Sequence, residues 1–327
     1  MVTLAYSYQQ ELAKRKTTKL LLVRGLFEAF HEANIDYCHW KSNEHLDASM
    51  NGDTDLDILF DPASRSGLDK ILQQLDFVKF EPVPQKKYND IEDFIGLDVE
   101  SGKIIHLHAH FRLTMGEPYL KGYQLNLERM ILDTRVLDKD FGVFCTSPIY
   151  ELILLFCRQA LKLRNRDRFK LLFNKGIKVA PTLVREYEWL KRACSLEKIR
   201  SASEYLFSDK RMEAIFLGPF DKKQFHKLSI LLRKELRDSR TYHPVTALLT
   251  RWQREFVLKM KRRLANHSRT PIVHKRVHPT KGLVIAVIGA DGSGKSTVIK
   301  NINSTFSKKL DVYPIYFGNG GYVSLST

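Results

Sequence analysis

Apolar and polar residues alternate with two different periods in the first part of the chain. Residues 9–33 carry apolar side chains at helical spacing, which predicts one amphipathic helix. Residues 35–43 predict a strand and a turn, and residues 94–100 and 103–111 predict two further strands. A helix followed by several strands predicts an α+β domain over residues 1–145.

The apolar spacing then returns to a helical period over a long region. Predicted helices cover residues 149–173, 182–193, 196–207, 221–238 and 245–265. Ser147 and Pro148 mark the start of the first one, because serine caps helices and proline is tolerated in the first turn. Residues 146–266 are therefore predicted to be a helical extension, and the proline-containing segment 267–281 an exposed linker.

The helical extension carries dense clusters of arginine and lysine, which allows two interpretations. One is an electropositive channel for nucleotides or a phosphorylated acceptor. The other, which we favour, is a solvated helix face with weak attraction for anions, including an anionic membrane surface. No aromatic platform is interleaved with the basic residues, so no specific nucleic-acid readout is expected.

Composition supports an anion-binding protein in a reducing compartment. The 327 residues carry a net charge of +16 with a pI near 9.6, and 43% of them are hydrophobic. The four cysteines are widely spaced and form no C-x-x-C pair, which argues against both a disulfide framework and a zinc site. Because no signal peptide or membrane-spanning run is visible, we expect a cytoplasmic protein.

The most specific chemical signal is a phosphate-binding loop near the end of the chain. It follows an apolar run at 283–288, predicted to be a buried parallel strand, and precedes a predicted helix at 296–309. The matching residues are Gly289, Asp291, Gly292, Ser293, Gly294, Lys295, Ser296 and Thr297. A glycine- and serine-rich turn that matches by chance is the alternative, and the flanking strand and helix disfavour it.

The loop predicts binding of a nucleotide such as ATP together with Mg²⁺. Glycines allow backbone N–H groups to surround a polyphosphate, and the following helix directs its positive end at the same anion. Lys295 would reach the β- and γ-phosphates, and the Ser296 hydroxyl would bind Mg²⁺.

A second candidate site lies in the first domain, where Asp53, Asp55 and Asp57 alternate with Thr54, Leu56 and Ile58. A strand with a period of two places the three carboxylates on one face, where their repulsion favours a divalent metal such as Mg²⁺ or Mn²⁺. Lys41 and Ser42 precede the pair Asp55 and Asp57 at the separation of a nucleotidyltransferase motif. The alternative is a solvated edge strand with its acids facing water.

Three histidines on a neighbouring predicted strand extend this candidate site. His106, His108 and His110 alternate with apolar residues and therefore share one face. They could complete a metal site with Asp55 and Asp57, because imidazole is a good ligand for Zn²⁺, Mn²⁺ or Fe²⁺. For any single histidine, a buried hydrogen bond or a solvent-exposed position is the alternative. Asp98 is the candidate for the third carboxylate that nucleotidyltransferases use.

Taken together, these motifs resemble bacterial proteins that fuse a nucleotidyltransferase-like domain to a thymidylate kinase-like domain, found among surface-polysaccharide gene sets. The resemblance rests on residues 38–46, 54–57 and 106–111 and on the loop at 289–297. It implies an α+β nucleotidyltransferase-like domain with a helical extension, followed by the start of an α/β P-loop kinase-like domain. It also implies that Asp291 contacts the acceptor.

The P-loop domain, residues 282–327, is expected to be incomplete. After a further predicted strand at 312–317 and a glycine-rich tail, the remaining residues cannot supply the additional strands, acid and arginine lid of such a kinase. Either the chain is part of a longer protein or its kinase half is truncated.

Three functions follow as hypotheses. The leading one is phosphoryl transfer by the P-loop module to a nucleotide or phosphorylated sugar, with Lys295 and Asp291 as key residues. The second is nucleotidyl transfer at Asp55 and Asp57. The third is a non-catalytic nucleotide-binding or regulatory protein.

Overall fold

The computed structural model describes residues 20–164, 166–167, 179–268, 272–280 and 282–315. Its helices are α1 (Leu21–Glu32), α2 (Leu46–Met50), α3 (Arg65–Gln74), α4 (Glu128–Asp133), α5 (Pro148–Lys162), α6 (Pro181–Ala193), α7 (Leu196–Leu206), α8 (Arg211–Phe216), α9 (Lys222–Glu235), α10 (Pro244–Ser268) and α11 (Lys295–Phe306). Its strands are β1 (Tyr37–His39), β2 (Leu56–Phe60), β3 (Val78–Pro82), β4 (Ile91–Asp98), β5 (Lys103–His110), β6 (Leu113–Met115), β7 (Tyr123–Leu125), β8 (Val136–Leu137), β9 (Phe144–Cys145) and β10 (Arg276–Val277).

A mixed sheet of eight strands forms the centre of the fold, in the order β10, β3, β4, β5, β2, β1, β9, β8. Strand β2 runs antiparallel to β1 and parallel to β5, while β4 and β5 form an antiparallel hairpin. The protein is therefore a mixed α/β structure with helices added after the sheet, in line with the predicted α+β domain and its helical extension.

Two apolar cores hold the elements together. In the first, Val23, Leu26 and Phe30 of α1 pack with Tyr37 and Phe60 from the sheet, and these side chains are all buried. The second core surrounds α5, which is buried on most of its circumference, and joins it to helices α6–α9. Because the second core depends on α-helical spacing of apolar residues, the helices at 182–193, 196–207 and 221–238 were predictable. Helix α10 matches the predicted helix at 245–265, but most of its apolar side chains, including Trp252 and Phe256, are exposed.

Two predicted helices differ in extent from those observed. Helix α1 is described from Leu21, and residues 9–19 of the prediction lie outside the described residues. Helix α5 ends at Lys162, because Leu163 adopts an extended conformation, whereas helical spacing predicted continuation to residue 173. Residues 168–173 lie outside the described part of the chain.

The segments around the P-loop differ most from expectation. Residues 283–288 form no strand with any described residue, and Leu283, Val284 and Ile288 are 81%, 95% and 91% exposed. An apolar run becomes a buried strand only where neighbouring strands accept its hydrogen bonds. Residues 312–315 likewise form no strand, and residues 316–317 of that prediction lie outside the described residues.

The predicted linker at 267–281 instead contributes to the sheet. Its strand β10 pairs antiparallel with β3, with Arg276 opposite Pro82 and Val277 opposite Glu81. Helix α10 also continues to Ser268, into the predicted linker. Among the described residues, no helix is long and apolar enough to cross a bilayer.

Candidate metal centre and cationic cavity

The register between β2 and β5 places their polar side chains side by side. Asp57 lies opposite His108 in this parallel pair. Leu56, Ile58, Leu107 and Ala109 are buried in the core behind them. The period of two therefore directs apolar side chains to one face and the carboxylate and imidazoles to the other.

Asp57 is the centre of a compact cluster. Its Oδ1 lies 2.9 Å from His108 Nδ1, 3.7 Å from His110 Nε2 and 2.8 Å from Lys41 Nζ. Ligand atoms of Asp57, His108 and His110 all lie within 4.8 Å of one another, close enough to hold one metal ion. The Trp40 ring packs edge-on against His110, with 5.1 Å between ring centroids, and restricts that imidazole.

Burial and charge fix the protonation of this cluster. Burial raises the pKa of Asp57, but Lys41 and the imidazole of His108 outweigh burial and hold it well below its ordinary value. Burial lowers the pKa values of His108 and His110, the latter strongly. An ionised carboxylate beside neutral imidazoles is the state that binds a metal.

His106 lies in a neighbouring network rather than in the metal cluster. Its Nδ1 lies 2.9 Å from Asp55 Oδ1 and its Nε2 lies 2.7 Å from Asp93 Oδ1. Burial disfavours the charged ring, yet the hydrogen bonds with Asp55 and Asp93 outweigh burial and raise the pKa of His106. Both ring nitrogens are therefore engaged by carboxylates, and the predicted role of His106 as a metal ligand does not fit this arrangement.

Asp55 contacts a residue from the far end of the chain. Lys309 donates from Nζ to Asp55 Oδ1, and the Lys309 side chain is 11% exposed. Burial of Asp55 is outweighed by His106 and Lys309, so the pKa of Asp55 lies below its ordinary value. The carboxylate is ionised, with a lysine ammonium group beside it.

Two acids that were candidates from the sequence have other positions. Asp53 precedes β2 instead of lying on its face; it is exposed and lies 3.1 Å from Lys103 Nζ. Asp98 ends β4 and accepts hydrogen bonds from the backbone N–H groups of Leu22 and Ser101, at 2.9 and 3.0 Å. It caps a helix and a turn and does not supply the third carboxylate.

Asp93 occupies the position predicted for a third carboxylate. It lies opposite His108 in the β4–β5 hairpin, is buried, and contacts both His106 and Arg276, the latter at 3.1 Å. Burial is outweighed by the hydrogen bond from His106 and by Arg276, which lower the pKa of Asp93 to about 2. The predicted strand at 94–100 does not include Asp93, because the observed strand begins earlier, at Ile91. Extending the alternation of polar and apolar residues back to Ile91 would have identified Asp93 as a candidate.

A cationic cavity of about 340 Å³ opens beside these residues. Asp93 and His108 lie on one wall, and the other walls carry Lys86, Lys121, Lys275, Arg276 and the rings of Tyr88 and Tyr119. Burial and the nearby charge of Lys41 lower the pKa of Lys121 to about 8. None of these cationic residues was a candidate from the sequence, because they come from three separate segments without a motif.

The turn after β1 carries Lys41 and Ser42, and a buried glutamate supports it. Ser42 has a φ of 60°, in the left-handed region where glycine is usual. Glu151 of α5 accepts hydrogen bonds from Asn43 N at 2.9 Å and Asn43 Nδ2 at 2.7 Å. Asn43 Oδ1 in turn lies 2.6 Å from His39 Nδ1. Helix α5 thereby fixes the turn that directs Lys41 at Asp57.

The P-loop residues lie apart from this cluster and are largely exposed. Gly292 and Gly294 have φ values of 79° and 84°, and α11 begins directly afterwards at Lys295. Lys295 Nζ donates to the carbonyl oxygens of Gly289 and Ala290, at 2.8 and 2.5 Å. Its nearest carboxylate is Asp291, at 3.8 Å, and the Asp291 side chain is fully exposed. Ser293, Ser296 and Thr297 complete the loop and the first turn of α11.

The end of α11 nevertheless packs on the large sheet. Phe306 and Leu310 pack against Phe80, Ile95 and Ile104. This apolar packing places Lys309 within hydrogen-bond distance of Asp55. The structure thus brings the segment after the P-loop helix, but not the loop itself, to the Asp55–His106 network beside the Asp57 cluster.

Comparisons with known proteins add little to this geometry. No family model and no curated protein matches the chain. Among solved structures, the chain is similar to the solution structure of the antibiotic-resistance factor ANT(2'')-Ia. The two share 12% identity over 56% of this chain and 88% of that chain, with a TM-score of 0.29. At that score the similarity carries no argument, and the functional assignment rests on the site itself.

Proposed function

We propose that this protein is a divalent-metal-dependent nucleotidyltransferase whose centre is Asp57 with His108 and His110. The observation that carries the proposal is the convergence of these three residues on one point, with His108 also lining a cationic cavity. A metal-binding cluster beside a cationic cavity suits a divalent ion and the polyphosphate that binds with it. The proposal matches the second of the three functions inferred from sequence.

The donor set decides which metals fit. One carboxylate and two neutral imidazoles suit Mn²⁺, Zn²⁺ or Fe²⁺ better than Mg²⁺, which prefers oxygen ligands. Among the described residues, His110 Nδ1 is buried without a hydrogen-bond partner. His110 Nε2 lies only 3.2 Å from His108 Nδ1, so two nitrogen donors are already brought together. We therefore favour Mn²⁺ over Mg²⁺ for this centre.

The cavity offers a binding surface for a nucleoside triphosphate. Lys86, Lys121, Lys275 and Arg276 line it against a single carboxylate, Asp93, so its walls carry excess positive charge. Lysine and arginine bind phosphate oxygens by charge-assisted hydrogen bonds. Tyr88 and Tyr119 add aromatic surface on which a base or sugar could pack.

The proposed reaction is attack of an acceptor hydroxyl on the α-phosphorus of the bound nucleotide. A new P–O bond forms to the acceptor, the bond from the α-phosphorus to the bridging oxygen breaks, and pyrophosphate leaves with that electron pair. The hydroxyl proton passes to solvent. A bound divalent ion supplies charge stabilisation for the phosphate oxygens and lowers the pKa of the hydroxyl. Lys121 and Arg276 would hold the phosphates, and Asp55 would remain a second ionised carboxylate beside the reacting groups.

A second candidate function is nucleotide binding at the P-loop, with phosphoryl transfer as its possible chemistry. It is favoured by the left-handed Gly292 and Gly294 and by the helix that begins at Lys295. These features present a turn and a helix N-terminus to an anion, as a phosphate-binding loop does. ATP with Mg²⁺ at Ser296 would be the ligand of this second candidate.

Transfer of radiolabel from ATP labelled at the α- or γ-phosphate distinguishes the two functions. Each labelled ATP is offered with Mn²⁺ or Mg²⁺ and a mixture of nucleotide and sugar-phosphate acceptors. The expected result is transfer of α-label that disappears in Asp57→Asn and persists in Lys295→Ala. Asp53→Asn is the matched control, because Asp53 is exposed and lies outside the cluster. Transfer of γ-label that requires Lys295 and not Asp57 would contradict the proposal.

A further inference from the structure

A second cavity, of about 240 Å³, lies between the 116–122 segment and helices α9 and α10. Three arginines line it, Arg233, Arg240 and Arg251, and Glu117 is the carboxylate among the lining residues. Two positive charges are therefore in excess. The metal centre and the Lys121 cavity do not share any of these residues.

Glu117 is already bound by two of the arginines. It lies 2.5 Å from Arg251 and 3.3 Å from Arg233, and it is buried. Arg233 is otherwise saturated, donating to Ser229 Oγ at 3.1 Å and to the carbonyl of Leu163 at 2.7 Å. A clamp that ties the 116–122 segment to α9 and α10 accounts for these contacts.

That clamp does not include Arg240. Among the described residues, the Arg240 guanidinium donates to the carbonyl of Arg233 at 3.1 Å and lies over the Tyr123 ring, 5.9 Å from its centroid. Within the described part of the chain, the Nε atoms of Arg240 and Arg251 are buried without a hydrogen-bond partner. These two Nε atoms are closed off from the cavity, so a ligand there would meet the remaining N–H groups of the two guanidinium groups and their positive charge.

The other walls suit a ligand with an anionic group and an apolar portion. Tyr123, Tyr242 and Leu248 supply ring and aliphatic surface, and Pro244 begins the long helix α10 at the cavity edge. The positive end of a helix favours an anion at that position. A phosphate monoester carries a charge close to −2 at neutral pH, which matches the excess of the arginines.

We propose that this arginine cavity binds the phosphate group of a small phosphorylated ligand, with the guanidinium groups of Arg240 and Arg251 donating to it. The proposal does not depend on the metal centre or on nucleotidyl transfer. Arg233 and Glu117 would set the position of Arg251, and the tyrosine rings would contact the rest of the ligand.

The test is a titration of the full chain with phenyl phosphate, followed by NMR of the arginine Nε–Hε groups. Because each resonance reports on one arginine, the measurement separates binding in this cavity from binding to other cationic groups of the protein. Arg240→Gln and Arg240→Lys assign the Arg240 signal, and Arg237→Gln is the matched control because Arg237 is exposed on the same segment.

We expect the Arg240 and Arg251 signals to shift and saturate, and benzyl alcohol to leave them unmoved. Arg240→Gln should weaken the binding seen at Arg251 by about tenfold, as loss of a charge-assisted hydrogen bond would. Arg240→Lys should weaken it less, and Arg237→Gln should not change it. Unmoved Arg240 and Arg251 signals at saturating phenyl phosphate, or equal weakening by Arg237→Gln and Arg240→Gln, would overturn the proposal.

Discussion

The Asp57 cluster and the P-loop both combine a lysine with acidic residues, but their surroundings differ. Around Asp57, side chains from β5 and from the turn after β1 close on a carboxylate that is 16% exposed. Lys295 contacts two backbone carbonyls and one acid, all within six residues of it along the chain. The apolar segment at 283–288, before the loop, is largely exposed. One site is preorganised by tertiary packing, and the other depends on local turn geometry.

The difference teaches that the strength of a motif does not measure how completely its site is built. A P-loop is contiguous, so its pattern is visible in any sequence that contains it. The Asp57 cluster is assembled by strand register from residues more than fifty positions apart, and its sequence pattern is weak. We therefore assign the proposed catalysis to the preorganised site, because positioning lowers the barrier of a reaction.

The largest expected effect is on catalysis at the metal centre. Asp57→Asn or His110→Ala should lower nucleotidyl transfer by about 100- to 1000-fold, the loss seen when a preorganised electrostatic group is removed. Lys295→Ala should leave this activity within a factor of two or so. The measurement is the initial rate of α-label transfer at saturating Mn²⁺. Equal losses in Asp57→Asn and Lys295→Ala would break the contrast between the two regions.

Glu151, which supports the turn that carries Lys41, should make the stability of the protein depend on pH. Burial raises the pKa of Glu151 from the ordinary 4.5 to about 7. The protonated carboxyl is favoured in the folded state, so stability is full below pH 4.5 and falls as pH rises to about 7. The loss should amount to about 3 kcal/mol.

Urea unfolding of the wild type and Glu151→Gln at pH 4.5 and 7.5 measures this loss. The variant lacks the titrating group, so its change in unfolding free energy between the two pH values should be smaller by about 3 kcal/mol. Glu204→Gln is the matched control, because Glu204 is exposed. Identical pH dependence in wild type and Glu151→Gln would show that burial does not control this carboxyl.

A smaller effect is expected where the two regions meet. Lys309 pairs with Asp55, so its positive charge lies in the network beside the Asp57 centre and opposes binding of a cation there. Lys309→Ala should raise the affinity for Mn²⁺ by about tenfold, which corresponds to roughly 1.4 kcal/mol. Calorimetric titration measures the change, and Lys308→Ala, at an exposed neighbouring position, is the control. A lower affinity in Lys309→Ala would mean that the lysine supports the site rather than competing for it.

The smallest expected effect is on stability at the loop. Lys295→Ala should change the unfolding free energy by no more than about 0.5 kcal/mol, as surface substitutions do. Lys41→Ala removes a hydrogen-bonded ion pair with Asp57 and should cost about 1.5–3 kcal/mol. Thermal unfolding of both variants measures these two losses of stability. A larger loss of unfolding free energy in Lys295→Ala than in Lys41→Ala would contradict the expectation that tertiary packing is stronger around Asp57.

Residue patterns predicted much of the fold and part of the site. Helical spacing located α6, α7 and α9, because burial of one helix face leaves a periodic pattern of apolar residues. It also located α10, although most apolar side chains of that helix are exposed. Period-two alternation placed His108 and His110 on the face of Asp57. It could not place Lys121 or Arg276, because a cavity wall built from loops and a sheet edge has no period.

The errors have physical causes as well. Leu283–Ile288 has the composition of a buried strand, but composition cannot supply the neighbouring strands that such a segment needs. Asp98 and Asp93 both lie on β4, and only the register of the hairpin shows which one faces the histidines. Lys309 reaches Asp55 across more than two hundred residues, a contact without any local signal.

Pulsed EPR of bound Mn²⁺ detects nitrogen ligands of the ion and therefore tests whether His108 and His110 bind it. We expect imidazole nitrogen coupling in the wild-type protein. This coupling should diminish in His108→Ala and in His110→Ala, disappear with Asp57→Asn, and persist in Asp53→Asn and Lys295→Ala. Mn²⁺ that shows only oxygen ligands in the wild type, or nitrogen coupling unchanged by His110→Ala, would contradict it.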